Sequence, residues 1–393
     1  MRRVVLHVCQ SAALLKGNPR KSGKSRLVSA FRESHLWLKA GPRAVRKSRA
    51  SREHDAPEAG SLKLVPSVPI RPWFAITLLA GLGLFLFPLT VAANVPRNCA
   101  PGIIVKLSAP APTQGSLLLL EVRSRTALSE LTAEWNSRNV PFWQLSDTHL
   151  DSKAASSSDV RQAILGVDLE KPPGTYPVLL RVQSANGKAA TCTLQIPVRA
   201  GKFATEKLQV GKEFVEPSPE QIQRANEERD KLRAIFDLAT PEKLWTGGFR
   251  VPLDGVTTGG NFGKRRILNG QPGSPHSGVD FPAVTGTPVY AAQNGRVVLA
   301  QELFFSGNTV VVDHGLGIYT FYGHLFEIDV RVGDELQSGQ ILGKVGATGR
   351  VTGPHLHWGL TVERARVNPL QLVKLLGSGS GSLANGSRTV TPR

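Results

Sequence analysis

The sequence predicts a mainly β chain in which two β-rich domains are joined by one helix. Short β-prone runs separated by turn residues fill 97–200 and again 245–372. Between them, a charged stretch at 215–240 carries apolar residues at helical spacing. A length of 393 residues is enough for two or three domains, and 41% apolar residues is enough for ordinary cores.

The first 70 residues are basic, rich in serine and without clear periodicity. They carry a net charge of +11, so most of the +18 of the whole chain lies there. The rest of the chain is only diffusely positive, and we expect no nucleic-acid partner. Because Met1 is the only methionine, two alternatives remain for residues 1–70. They form a disordered cytoplasmic tail, or they are a mis-assigned extension of a chain whose translation begins near Val65 or Val68.

Residues 71–94 form an apolar segment. Trp73–Phe87 is nearly continuous in apolar side chains, and Val91-Ala92-Ala93 places small residues before Asn94. This order is typical of a secretory signal peptide, and the uncharged stretch is also long enough for a transmembrane anchor. Both alternatives put residues 94–393 outside the cytoplasm, in a periplasmic or other extracytoplasmic compartment. The membrane is a partner if the segment stays uncleaved.

Residues 97–200 are predicted to form an immunoglobulin-like β-sandwich. An Asn186-Gly187 turn joins two β-prone runs into a hairpin, and this hairpin resembles the last strands of immunoglobulin-like bacterial modules. The β-prone runs are Ile103–Leu107, Ser116–Val122, Leu131–Trp135, Gly174–Val182 and Ala190–Val198. Cys99 and Cys192 follow the apolar segment, so a disulfide between them is plausible in an oxidising compartment.

A linker helix is predicted over 217–238, with Ser218 as its N-cap. Its apolar residues form one thin stripe: Ile222, Ala225, Leu232, Ile235 and Phe236. The second β-rich domain follows, with predicted strands at Gly278–Phe281, Pro288–Ala291, Gly295–Leu299, Asn308–Asp313, Ile318–Tyr322, Gln340–Val345 and His355–Leu360. The Gly- and Ser-rich residues 373–393 are predicted to be a disordered tail.

Five of the nine histidines lie between positions 276 and 357. His276 and Asp280 form an H-x-x-x-D pattern, His324 follows Tyr322-Gly323, and His355 and His357 form an H-x-H. On a strand, residues i and i+2 share a face, so the H-x-H pair can reach one cleft. A catalytic zinc site needs three imidazole or carboxylate ligands and an open position. His276, Asp280 and one H-x-H histidine supply that set.

Two imidazoles are left over: His324 and the other member of the H-x-H pair. They are candidates for deprotonating a water, donating to a leaving amine or stabilising an oxyanion. The spacing alone leaves open which H-x-H histidine would hold the metal. His314, which opens a glycine-rich turn after a β-prone run, is expected to be structural.

With these patterns in place, residues about 246–372 resemble the lysostaphin/LytM-type zinc endopeptidases. The matching motifs are Pro275–Phe281, Gly286–Ala292, Gly307–Gly315, Tyr322–Leu325 and Gly346–Trp358. The resemblance implies a β-sheet groove fold (a duplicated hybrid motif) that hydrolyses peptide bonds of peptidoglycan. It implies the zinc ligands His276, Asp280 and His357, with His324 and His355 as the non-ligand catalytic pair.

In that scheme His355 is the general base or orients the water, His324 stabilises the oxyanion, and Tyr322 is expected to pack. The loop Asn261–Gly263 and the basic residues Lys264–Arg266 lie where such enzymes have a loop near the groove. These basic side chains either meet stem-peptide carboxylates or form a solvated turn.

An alternative function is a non-catalytic LytM-like module that binds the cell wall or activates another hydrolase. Such modules typically lack part of the metal set, and all five positions are filled here. Whether the upstream domains cover the groove is left open.

Overall fold

The computed structural model describes residues 97–145, 159–255 and 259–377. Within these ranges the chain forms 21 β-strands and two α-helices, so the predicted mainly β class is confirmed. The basic residues 1–70, the apolar segment 71–94 and residues 378–393 lie outside the described residues. In the part of the chain that is described, no helix is both long and apolar enough to cross a bilayer.

Nine strands build two antiparallel sheets around one hydrophobic core. They are β1 (Arg97–Ala100), β2 (Ile103–Leu107), β3 (Leu117–Ser124), β4 (Leu128–Trp135), β5 (Arg138–Val140), β6 (Trp143–Gln144), β7 (Asp159–Gly166), β8 (Gly174–Ser184) and β9 (Ala189–Val198). One sheet has the strand order β1-β2-β3-β7-β6 and the other β5-β4-β8-β9. Leu118 and Leu120 of the first sheet and Leu180 of the second are fully buried in the shared core.

A disulfide joins the two sheets. It links Cys99 of β1 to Cys192 of β9, with the Cα atoms 5.6 Å apart, which confirms the bridge that the sequence made plausible. The hairpin of β8 and β9 is also confirmed, and Gly187 in its turn has a φ of +81°. The sequence did not predict β7, because this strand is buried on both faces and lacks the alternation of a half-buried strand.

A small sheet and a helix follow. They comprise β10 (Thr205–Leu208), a 3₁₀ turn (Lys212–Phe214), α1 (Pro219–Asp237), β11 (Arg265–Leu268) and β12 (Gln271–Pro272). β10 pairs in parallel with β11, which pairs antiparallel with β12. Ser218 caps α1 by accepting a hydrogen bond from the backbone N–H of Gln221. The apolar stripe packs through Leu232, Ile235 and Phe236, whereas Ile222 near its start is 47% exposed.

The largest sheet has nine strands. They are β13 (Gly278–Pro282), β14 (Pro288–Tyr290), β15 (Gly295–Leu303), β16 (Gly307–Asp313), β17 (Ile318–Ile328), β18 (Glu335–Leu336), β19 (Ile341–Val345), β20 (His355–Val362) and β21 (Ala365–Val367). The main path is β13-β20-β17-β16-β15-β18, and β19 joins β14 to β17. Each of the seven predicted strands coincides with one of these.

The chain then forms α2 (Pro369–Leu376). The prediction of a disordered tail from residue 373 is therefore wrong in its starting point. Asn368 caps the helix by accepting a hydrogen bond from the N–H of Leu370. Leu372 is fully buried and Val373 packs against the same core, so burial of apolar side chains holds this segment.

Candidate metal and active site

The site is built on β20, which lies between β13 and β17. Asp280 of β13 stands opposite His357 of β20, and Gly323 of β17 stands opposite His357 on the other side. Leu356 and Trp358 are fully buried on the core face of β20. The two H-x-H histidines point to the opposite face, as the alternation of a strand requires.

Three of the predicted side chains converge on one point. Nε2 of His276 lies 2.9 Å from Oδ1 of Asp280 and 2.9 Å from Nδ1 of His357. Nδ1 of His357 lies 2.8 Å from the same Asp280 oxygen. In the described part of the chain, only these three side chains bring their ligand atoms close enough together to hold a metal ion.

The chemistry of this donor set fits zinc. Nδ1 of His276 donates to the backbone carbonyl of Asn261 at 2.9 Å, so its Nε2 faces the site with a lone pair. Burial lowers the pKa of His357 even though Asp280 opposes this, so the ring is held neutral, as a metal ligand must be. Lone pairs from two imidazoles and a carboxylate repel one another unless a cation lies among them, and two nitrogens with one oxygen suit Zn²⁺.

The carboxylate of Asp280 is held through Oδ2, the oxygen that does not face His276 and His357. Its Oδ2 accepts from Nδ2 of Asn261 at 2.8 Å and from Nη2 of Arg266 at 3.0 Å. Its backbone N–H donates to Oδ1 of Asn261 at 2.9 Å. Burial by itself raises the pKa of Asp280, but the two imidazoles next to its Oδ1, those of His276 and His357, outweigh burial and hold that pKa well below its usual range.

His324 and His355 form a second pair beside these three residues. Their ring centroids are 4.8 Å apart. Nδ1 of His324 donates to the carbonyl of Thr348 at 2.8 Å, and Nδ1 of His355 donates to the carbonyl of Gly353 at 2.8 Å. Each ring therefore keeps Nε2 free of the backbone, and both histidines line one groove together with Asp280. Nε2 of His355 lies 3.7 Å from Oδ1 of Asp280.

A β-bulge turns His324 into the groove. Tyr322 and Leu325 of β17 are both fully buried in the core, with two residues between them where regular alternation allows one. The register of β16 and β17 shifts at this point, and His324 has a φ of +63°. Its N–H donates to the carbonyl of Ser306 at 2.7 Å, which holds this left-handed conformation. Burial and the neighbouring His357 and His355 lower the pKa of His324 to about 3.

Tyr322 and His314, which lie in or near the histidine patterns of the sequence, are structural residues. Tyr322 is fully buried, and its hydroxyl accepts from the N–H of Ala292 at 2.9 Å and contacts Oγ1 of Thr320 at 3.0 Å. His314 is fully buried between Thr320 and the carbonyl of Asn294, at 2.7 Å from each. Burial lowers its pKa to about 4. Neither side chain reaches the groove, as expected.

Two of the three basic residues Lys264–Arg266, which precede β13, neither await a substrate carboxylate nor form a solvated turn. Lys264 pairs with Glu206 at 2.9 Å and Arg266 pairs with Asp280, so these two basic groups are already bound within the chain. Asn261 and Arg266 hold Asp280 in place, a role that sequence reasoning missed. Local sequence carries little signal for it, because 19 residues separate Asn261 from Asp280.

The part of the chain that contains this site is similar to a family of known proteins. The model of Peptidase family M23 matches residues 274–369. Over 98 residues the chain is 45% identical to peptidoglycan DD-endopeptidase ShyA of Vibrio cholerae, covering 25% of this chain and 23% of that protein. Over 127 residues it is 35% identical to the DD-carboxypeptidase/endopeptidase Mpg of Neisseria meningitidis, covering 32% and 29%.

Among solved structures, a putative peptidase M23 from Pseudomonas aeruginosa is 28% identical, covering 68% of this chain and 96% of that one, with a TM-score of 0.46. The chain spans less than a third of the length of the curated relatives described above. The family model covers one domain, which contains His276, Asp280, His324 and the H-x-H pair. This chain carries a Peptidase family M23 domain at residues 274–369.

Proposed function

We propose that this protein is a zinc-dependent endopeptidase that hydrolyses peptide cross-links of bacterial peptidoglycan outside the cytoplasmic membrane. The observation that carries the proposal is the convergence of His276, Asp280 and His357 on one point, within reach of two further imidazoles. The names of the relatives, peptidoglycan DD-endopeptidase and DD-carboxypeptidase/endopeptidase, support the substrate class.

In this proposal His276, Asp280 and His357 hold the zinc. The chemistry expected from the ion is Lewis acidity toward the scissile carbonyl and a lowered pKa for a water. Asn261 and Arg266 keep Oδ2 of Asp280 occupied, so that Oδ1 is the oxygen left for the metal. Such outer contacts fix the direction of a ligand and strengthen its binding.

His355 is the proposed general base. Because its Nδ1 donates to Gly353, its neutral ring presents the Nε2 lone pair to the groove. That nitrogen can accept the proton of the attacking water and later donate it to the leaving amine.

His324 is the proposed partner of His355 and stabilises the tetrahedral oxyanion. Its Nδ1 donates to Thr348, so its neutral ring also presents a lone pair. It becomes a donor to the oxyanion only when Nε2 carries a proton.

The parts before residue 274 are proposed to be an immunoglobulin-like sandwich and an export segment. Two antiparallel sheets around one core support the sandwich at 97–200. The Cys99–Cys192 disulfide supports an oxidising, extracytoplasmic location. A signal peptide or membrane anchor at 71–94 is the proposed route to that location.

The test combines zinc content with cleavage of purified peptidoglycan sacculi, using residues 94–393 and two variants. We expect His357→Ala to lose both zinc and activity. We expect His355→Ala to keep zinc and lose activity. Mass spectrometry of the products identifies the bond that is cut. A wild-type protein that holds no zinc and leaves sacculi intact would instead favour a wall-binding or activator module.

A further inference from the structure

The groove contains a cation to which the proposed chemistry assigns no role. Arg350 lies in the loop between β19 and β20. It borders one pocket of about 250 Å³ together with His355. It also borders a second pocket of about 290 Å³ together with His357. Arg350 therefore borders both pockets that contain the metal ligands.

Arg350 differs from the other two arginines that line these pockets. Arg266 is paired with Asp280 at 3.0 Å, and Arg366 is paired with Asp168 at 2.8 Å. In the described ranges, no carboxylate forms an ion pair with Arg350, and its charged neighbour is the like-charged Arg266. A half-buried cation beside another cation is unfavourable until an anion joins it.

The position of Arg350 is fixed before any ligand arrives. Its backbone N–H donates to the carbonyl of Phe305 at 2.8 Å. Its guanidinium carbon lies 4.5 Å from the centroid of the Phe305 ring, a cation–π contact that restricts the side chain. Burial and the nearby Arg266 also lower the pKa of Arg350. A fixed, partly desolvated guanidinium group loses little conformational entropy on binding a ligand.

We propose that Arg350 binds a free carboxylate of the peptide substrate next to the scissile bond and thereby determines specificity. A guanidinium group binds a carboxylate through two parallel hydrogen bonds, and peptidoglycan stem peptides carry free carboxylates beside their cross-links. The inference rests on the proposed function. Arg350 thereby takes the role that charge alone suggested for Lys264–Arg266. Within that run, Lys264 and Arg266 are already paired with carboxylates of the chain.

The experiment uses two synthetic cross-linked peptides that differ at one position, a free α-carboxylate in one and a carboxamide in the other. For the wild type we expect kcat/KM to be about 10- to 100-fold higher for the acid, the range of hydrogen bonds to charged groups. Arg350→Gln removes this preference by raising KM for the acid, with the carboxamide turned over as before. Arg350→Lys keeps the charge but loses the bidentate geometry, so it retains part of the preference.

Arg296→Gln is the matched control. Arg296 is exposed, pairs with Glu335 at 3.3 Å and lies outside both groove pockets, so its loss should leave the preference intact. Equal wild-type rates on the two peptides would overturn the role of Arg350 and leave the proposed function standing. So would an equal loss on both peptides in Arg350→Gln and Arg350→Lys. A wild type that cuts neither these peptides nor sacculi overturns the proposed function and the inference with it.

Discussion

Asn261→Ala tests whether the contacts behind Asp280 tune the metal site. The substitution removes two hydrogen bonds, the 2.8 Å bond to Oδ2 of Asp280 and the 2.9 Å bond from its backbone N–H. Loss of such outer partners typically weakens metal binding about 10- to 100-fold. Arg266 still holds Oδ2 at 3.0 Å, and the Asn261 carbonyl still orients His276. We therefore expect the lower end, about a 10-fold weaker zinc affinity, or about 1.4 kcal/mol.

The assay is competition for zinc between the protein and a chromophoric chelator of known affinity. Asn269→Ala is the matched control, because Asn269 also makes two side-chain hydrogen bonds, at 2.9 Å each with the backbone of Val210, and touches none of the metal ligands. It should bind zinc as the wild type does. A zinc affinity of folded Asn261→Ala within about twofold of the wild-type value would refute the reasoning, since outer partners are expected to contribute at least about tenfold.

Three further predictions concern stability and the buried polar groups. Reduction of the Cys99–Cys192 disulfide, which spans 93 residues, should lower the free energy of unfolding by about 2–4 kcal/mol. Urea denaturation with and without reductant measures this difference, and coincident unfolding curves would contradict it. His314 has a folded pKa of about 4 against about 6.5 when unfolded, so the stability present above pH 6.5 should fall by about 3 kcal/mol as the pH drops to 4. His314→Asn should lack this component of the pH dependence, and an unchanged slope would refute the assignment. Tyr322→Phe leaves the buried N–H of Ala292 without its partner and should lower the free energy of unfolding by about 1–3 kcal/mol. The kcat should not change, and a large fall in kcat would instead give the hydroxyl a catalytic role.

The fold class was predictable because its signals are local. Glycine and other turn residues punctuate the strands of the large sheet, and Asn186-Gly187 marks a two-stranded hairpin that the structure contains. β7 was missed because burial on both faces removes the alternation that identifies a strand. The start of the predicted C-terminal tail was also misjudged. The Gly- and Ser-rich composition beyond residue 377 obscured the apolar residues of α2 that pack on the core.

The sequence by itself determined which residue types the proposed site contains. Five residues of the right types stand in three patterns, and the period of a strand puts His355 and His357 on one face. Only the tertiary structure decided how these residues meet. His276 and His357 are 81 residues apart and come within 2.9 Å through the pairing of β13 with β20. Contacts between distant segments also decide the bulge that aims His324 and the hydrogen bonds of Asn261 and Arg266 to Asp280. They decide as well that Arg350 has no carboxylate partner among the described residues. Local patterns cannot encode such contacts, because strand register and side-chain packing are set by the whole core.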